Sequence, residues 1–196
     1  ELNDDGSIKE SGVVRLPDGI QDVIMTSELY FLRTTSLDGS EIVRGALPYN
    51  PNVSNPLTTL WTSPLHNWDI QKAGGASIVI TQKPSFNIPG YSYVLNTQTK
   101  KVTKLLGDLP GLVTAPAPTG NTYLATTYGP NAYTSFIYSA QTKNRVYLES
   151  LVVPEKCAWS ENGLHIYCAI GERMPIEMPN AWYDGSIPIA DTKILH

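Results

Sequence analysis

The tripeptide Gln-Thr-Lys stands at residues 98–100 and again at 141–143, 43 positions later, each time between two runs of β-branched and aromatic residues. Tyr93-Val94-Leu95-Asn96 leads into the first copy and Val102-Thr103-Lys104-Leu105 leaves it. Phe136-Ile137-Tyr138-Ser139 and Arg145-Val146-Tyr147 flank the second. A polar tripeptide between alternating apolar strands reads as a hairpin turn. The same hairpin at a fixed interval of this length marks a repeated supersecondary unit, which constrains the fold more than any single segment. Further turns keep the interval: Ala73-Gly74-Gly75, Pro118-Thr119-Gly120 and Glu161-Asn162-Gly163 place glycines at 75, 120 and 163.

Each unit then holds four short strands bounded by Gly, Pro, Asn or Asp, as in Ala76-Ser77-Ile78-Val79-Ile80 and Tyr91-Ser92-Tyr93-Val94-Leu95. No segment carries a convincing helical period. The units fall at residues 20–62, 63–106, 107–151 and 152–196, after an N-terminal segment 1–19, and the last stops in its third strand. Four antiparallel strands repeated at this spacing predict an all-β chain of about four β-propeller blades, each sheet burying both faces. A β-sandwich also shows a strand every ~8–12 residues, but it does not require Gln-Thr-Lys to recur. The composition agrees, with 41% hydrophobic and only 16% charged residues, and with fifteen glycines and fifteen prolines spread along the chain.

The closing unit, Cys157-Ala158-Trp159-Ser160-Glu161-Asn162-Gly163-Leu164-His165-Ile166-Tyr167, resembles the Trp-Ser-Pro-Asp-Gly-x-x-Ile-x-Phe repeat of TolB-type and WD40-like propellers. Trp159, Ser160, Gly163 and Ile166 match it, while Glu161 and Asn162 replace the usual Pro-Asp. Because many functions share this repeat, the resemblance implies the fold and leaves the activity open. Among such proteins the chain looks most like bacterial envelope propellers, which implies an extracytoplasmic or cell-surface location with any membrane anchor outside this chain.

Charge and hydropathy remove other classes. The net charge is −4 with no basic block, which argues against binding nucleic acid. The longest apolar runs fall far short of the ~18 residues that span a bilayer. The three histidines, His66, His165 and His196, have no ligand-type neighbour at metal-binding spacing, and Asn3-Asp4-Asp5-Gly6 lacks the later Glu of a calcium loop. Neither a metal nor a cofactor is expected. Gly90-Tyr91-Ser92-Tyr93-Val94 lacks the second glycine of a nucleophile elbow and lies in a strand. Ser36-Leu37-Asp38-Gly39 departs from the sialidase box and reads as a turn. Glu149, Glu161 and Asp184 sit in turns and loops, where carboxylates are ordinarily solvated. Asn52-Val53-Ser54 matches a glycosylation sequon, which bears only on a secreted eukaryotic protein.

Two interruptions of the pattern carry the expectation of function. Residues 47–56 replace the tight turn of the following units, and residues 171–187 form a Pro-rich insertion between two strands of the last. Within the second, Trp182 and Tyr183 are the expected partner-binding anchors, because aromatics exposed on rim loops make binding hot spots; they serve equally as a lid over a blade edge. Cys157 and Cys168 flank the Asn162-Gly163 turn. A two-residue type I′ turn sets them opposite each other at a hydrogen-bonded site within disulfide range, whereas a type I turn with a glycine bulge sets Cys157 opposite Tyr167. An oxidising compartment favours the bridge over two buried thiols.

The expected function is a non-catalytic propeller module that binds a protein or an envelope component. The alternatives are the regulatory or gating part of a larger hydrolase and a self-associating component of a surface layer or appendage. The strand-like run Gly12-Val13-Val14-Arg15-Leu16 either completes the last blade and closes a small ring or belongs to a preceding blade of a larger propeller. The expectation is the larger propeller, of which this chain is a portion.

Overall fold

The computed structural model describes residues 16, 18–35, 39–46, 57–129, 133–171, 178–183 and 192–195. It is built from four antiparallel sheets, and the chain divides into two compact units, Glu1–Pro64 and Leu65–His196.

The first unit holds one sheet of β1 (Ile20–Met25), β2 (Leu29–Thr34), β3 (Ser40–Gly45) and β4 (Thr58–Ser63), hydrogen-bonded in chain order. Alternation along β2 and β3 turns Leu29, Phe31 and Val43 to one side, where they close over Leu16, Ile20 and Leu57. Arg33 and Glu41 face each other across the two strands, and the guanidinium Nε lies 2.9 Å from Oε1.

The second unit holds three sheets. The first comprises β5 (Trp68–Lys72), β6 (Ser77–Gln82), β7 (Pro89–Asn96) and β8 (Val102–Pro110). The second comprises β9 (Val113–Pro116), β10 (Thr122–Tyr128), β11 (Tyr133–Ser139) and β12 (Arg145–Tyr147). The third has three strands among the described residues: β13 (Cys157–Trp159), β14 (Ile166–Gly171) and β15 (Thr192–Leu195). Of the candidate closing strand, residues 12–16, all but Leu16 lie outside the described part.

Strand β10 shows why the sheets stack. Its residues are buried from Tyr123 to Tyr128, and the pleat sends them to two different cores. Tyr123 and Ala125 join Phe136 and Tyr138 against Ala73, Val79, Leu105 and Leu112 of the β5–β8 sheet and its exit. Leu124 points the other way, into a cluster with Val152, Cys168, Trp159 and Ile170 of the β13–β15 sheet and its approach. The central sheet therefore has no solvent face at its middle.

Buried hydroxyls fasten the same interfaces. Thr81 and Ser92, opposed on β6 and β7, lie 3.1 Å apart, and Thr114 at the start of the next sheet reaches Thr81 at 2.7 Å. One sheet later Thr126 and Ser135, opposed on β10 and β11, are 2.8 Å apart. Thr126 donates to the Val152 carbonyl at 2.8 Å, and the Ser135 hydroxyl accepts from the Val152 amide at 3.0 Å. The polar atoms are thus satisfied where water is excluded.

At one end of the sheets the β5–β6 and β9–β10 hairpins touch backbone to backbone. A Cβ on Gly74 would overlap the Thr119 carbonyl, and one on Gly120 would fall 2.8 Å from the Gly74 amide nitrogen. Gly75 also needs its glycine, but only for its φ of +61°, since the space beside it is open. We predict that Gly74→Ala, which forces the hairpins apart, costs about 2–3 kcal/mol. Gly75→Ala costs about 1 kcal/mol of left-handed backbone strain. Denaturant midpoints of the two variants check the order, and equal losses would contradict the contact.

Candidate functional site

The connection between β14 and β15 is the place where the repeat is most interrupted, and residues 178–183 of it are described. Met178 is fully buried and fills a cluster with Val113, Tyr128 and Val153, against which Tyr133 and Ala181 pack. Its amide donates to the Tyr133 hydroxyl at 3.2 Å. Two residues on, the Asn180 side-chain carbonyl accepts from the Phe86 amide at 2.7 Å, on the β6–β7 loop of a different sheet. The segment then makes the single turn α1 (Asn180–Tyr183). A loop of the last sheet is thereby strapped over the two sheets before it, by a buried methionine and two hydrogen bonds. Trp182 and Tyr183 occupy the end of α1, with their side chains outside the described part.

Beneath the strap the Tyr128 hydroxyl is buried and has no hydrogen-bond partner among the described residues. Burial, reinforced by the Glu155 carboxylate and by Tyr133, holds its ionisation far above that of an ordinary phenol. Gly111 lets the β8–β9 connection lie against this tyrosine, because a Cβ there would meet the Tyr128 Cβ at 2.8 Å. The Asn87 amide donates to the Tyr128 carbonyl at 3.3 Å and the Gly111 amide to the Ile88 carbonyl at 2.9 Å, so the floor under the strap is itself knitted together.

Within the last sheet, Cys157 of β13 and Cys168 of β14 are directly opposed and disulfide-bonded, with Cα atoms 4.0 Å apart. The turn between them combines features of both sequence alternatives. Opposed residues follow the register of the type I′ reading, yet Ser160 through its amide bonds the His165 carbonyl at 2.9 Å, leaving four residues in the loop. Within it the Gly163 amide returns to the Ser160 carbonyl at 2.8 Å, and Gly163 carries the positive φ of +68°. Widening the loop from two residues to four shifts the ladder's parity by one. The cysteines therefore occupy a non-hydrogen-bonded pair, where facing side chains come closest, rather than the hydrogen-bonded pair expected.

Two solved structures are similar to this chain in fold. TolB from Acinetobacter baumannii superimposes with a TM-score of 0.56 at 13% identity, over 74% of this chain and 35% of TolB. The β-propeller domain of the trilobed protease from Pyrococcus furiosus, which has an open velcro topology, gives 0.51 at 13% identity, over 81% of this chain and 50% of that one. The fold is that of β-propeller blades. The chain spans half or less of the solved chains it matches. No family model and no curated protein matches it.

Blade geometry disposes of several residues singled out from sequence. Ser92 lies in the buried hydroxyl group with Thr81 and Thr114, closed to any substrate. Trp159 packs between blades and donates its indole N–H to the Ala115 carbonyl at 3.3 Å. His165 and Glu161 are exposed at the β13–β14 turn, and Glu149 is exposed after β12. Among the described residues no three His, Cys, Asp or Glu side chains converge as a metal site. Residues 47–56, Ser36, Asp184 and His196 lie outside the described part. Tyr133 and Asn180, which hold the strap, carried no sequence signal, since each acts on a partner 45 or 94 residues away.

We expect Tyr128→Phe to leave stability unchanged or raise it by up to about 1–2 kcal/mol, because it removes an unpaired buried hydroxyl. The raised pKa makes the native contribution of Tyr128 constant below the unfolded value of 10.0 and lost as pH rises above it. The variant should therefore resist alkaline unfolding, as read by thermal melts across pH 8–12. For the disulfide, intact mass after denaturing alkylation without reductant should show a two-hydrogen deficit and no alkyl uptake. The chain-entropy estimate for a loop of this length makes reduction cost about 3 kcal/mol. Uptake of two alkyl groups would refute the bridge.

Proposed function

We propose that the chain is a non-catalytic β-propeller module that binds a protein or envelope component through the strapped end of its blades, outside the cytoplasm. The observation that carries this reading is the strap itself. Met178 and Asn180 hold an irregular segment to two preceding blades, and the turn they anchor places Trp182 and Tyr183 at its end. Pinning the segment through Met178 and Asn180 lowers the entropy it loses on binding, and it suits recognition more than enzyme chemistry. The Cys157–Cys168 bond supports an oxidising compartment. No helix among the described residues is long and apolar enough to cross a membrane.

A second reading has its own support: one of the similar solved chains is the propeller domain of a protease. Under it the chain is the gating part of a larger hydrolase. A hydrolase sequence contiguous in the same reading frame would favour that reading, and a frame containing only blades would oppose it.

The test is the double variant Trp182→Ala with Tyr183→Ala, compared with the unchanged chain. Both are cross-linked in an envelope extract, and the captured protein is identified by mass spectrometry. The proposal expects capture by the unchanged chain to fall by roughly tenfold or more in the variant, with the melting temperature held. Capture that persists in the variant while its melting temperature falls would assign the pair to a lid.

A further inference from the structure

The opposite end of the blades carries a groove that the strap does not touch. It runs between the β7–β8 hairpin of one blade and the β10–β11 region of the next, with a volume of about 360 Å³. Its floor is apolar, formed by Val94, Leu105 and Tyr123, and Lys101, Lys104 and Lys143 are among its lining residues, with no carboxylate in the lining. Residues 94–107 and 133–148, which build the two walls, contain five cations and no acid in a chain of net charge −4.

The lining lysines differ in what already holds them. The Lys104 stem lies across Gly107, where any Cβ would collide with it. Its ammonium sits 4.9 Å over the Tyr91 ring and 3.4 Å from the Asp108 carboxylate, which also accepts from the Tyr91 hydroxyl. Lys104 is thus positioned by the protein. Lys101 and Lys143 have no ion pair among the described residues and lie exposed on the two walls.

The turns that present these lysines repeat one geometry. Asn96 and Lys101 close the first, with the Asn96 amide donating to the Lys101 carbonyl at 2.9 Å. Ser139 and Asn144 close the second, with the corresponding bond at 3.1 Å. In each the last loop residue is left-handed, and in each it is a lysine: Lys100 with φ of +58° and Lys143 with φ of +63°. Glycine or asparagine fills such a position without strain, so a lysine there is held against its backbone preference. Lys143 lines the groove.

We propose that this inter-blade groove is a second binding surface, for an extended acidic peptide segment whose apolar side chains seat on Val94, Leu105 and Tyr123 while its carboxylates meet Lys101 and Lys143. Charge complementarity selects an anion. The buried apolar floor selects a peptide carrying hydrophobic side chains over a bare phosphate or a sulfate ester, which would leave that floor uncovered. Lysine ammoniums, as point charges on flexible stems, suit carboxylates at varied spacing. Salt confines the attraction to within ~8–10 Å, so these lysines act locally although the chain as a whole is negative.

The test is fluorescence anisotropy with a short labelled peptide of alternating glutamate and leucine, at low salt. The proposal expects saturable binding that weakens roughly tenfold or more in Lys101→Glu with Lys143→Glu. Lys83→Glu, which matches the charge change of Lys143→Glu at the other end of the blade, should stay within about twofold of the unchanged chain. Lys143→Gly separates a ligand role from a structural one: it should weaken binding while leaving the melting temperature equal or higher, because glycine relieves the left-handed strain. The double variant Trp182→Ala with Tyr183→Ala should bind the peptide normally, so this surface and the strapped end stand or fall separately. The proposal is overturned if the unchanged chain shows no binding up to ~1 mM peptide. It is equally overturned if Lys83→Glu is as damaging as Lys101→Glu with Lys143→Glu, or if a serine-for-leucine peptide or inorganic phosphate occupies the groove as well as the glutamate–leucine peptide.

Discussion

Burial of both faces of a sheet is the constraint from which the second unit follows. A four-stranded sheet alternating Tyr123, Leu124 and Ala125 along its second strand has apolar side chains above and below, and neither set is stable in water. Each face needs a neighbouring sheet, and each neighbour has the same need. Stacking then answers a demand that no single blade meets alone, which is why the repeat, rather than the individual strand, is the structural unit. The apolar clusters on the two sides of the central blade are formed by different neighbours and share no buried member.

Stacked apolar faces slide unless something fixes their register. The hydroxyl groups around Thr81 and Thr126 do this, since each places a polar pair opposite itself within a blade and joins it to the first strand or entry segment of the next. Displacing one sheet by a residue would strand buried hydroxyls without partners, a penalty of about 1–3 kcal/mol for each. Dispersion holds the blades together, and hydrogen bonding decides where.

What could be read from the sequence was whatever the chain states locally. The Gln-Thr-Lys recurrence marked equivalent hairpins because turn chemistry depends on a handful of adjacent residues, and the Trp159–Ile166 pattern marked the fold for the same reason. The Cys157–Cys168 register was among the sequence alternatives, but the parity of its ladder was not, since it turns on whether Glu161 and Leu164 pair or belong to the loop. Thr81, Ser92 and Thr114 looked like ordinary strand residues; only the stacking brings them together. The strap was visible as an interruption, and its anchoring through Tyr133 and Asn180 was not, because those contacts join residues far apart in the chain. The lysines of the repeated turns were visible as part of a turn, and their placement around one groove emerged only when adjacent hairpins were set side by side.

The hairpins at the groove end also differ in how they meet. Between the first two blades of the unit the contact is backbone on backbone, with Gly74 against Thr119 and Gly120. Between the second and third it is the Thr119 side chain that meets Gly163, with a Cβ there falling 3.0 Å from the threonine methyl. Thr119 is therefore a two-sided spacer, presenting its main chain to one neighbour and its side chain to the other. Successive steps around the stack are set by unlike pieces of matter and need not be the same size. Copying any one of these blades in tandem would give every step the same contact and lose the unlike spacings of the native stack, so the individuality of each blade is part of how the stack is built.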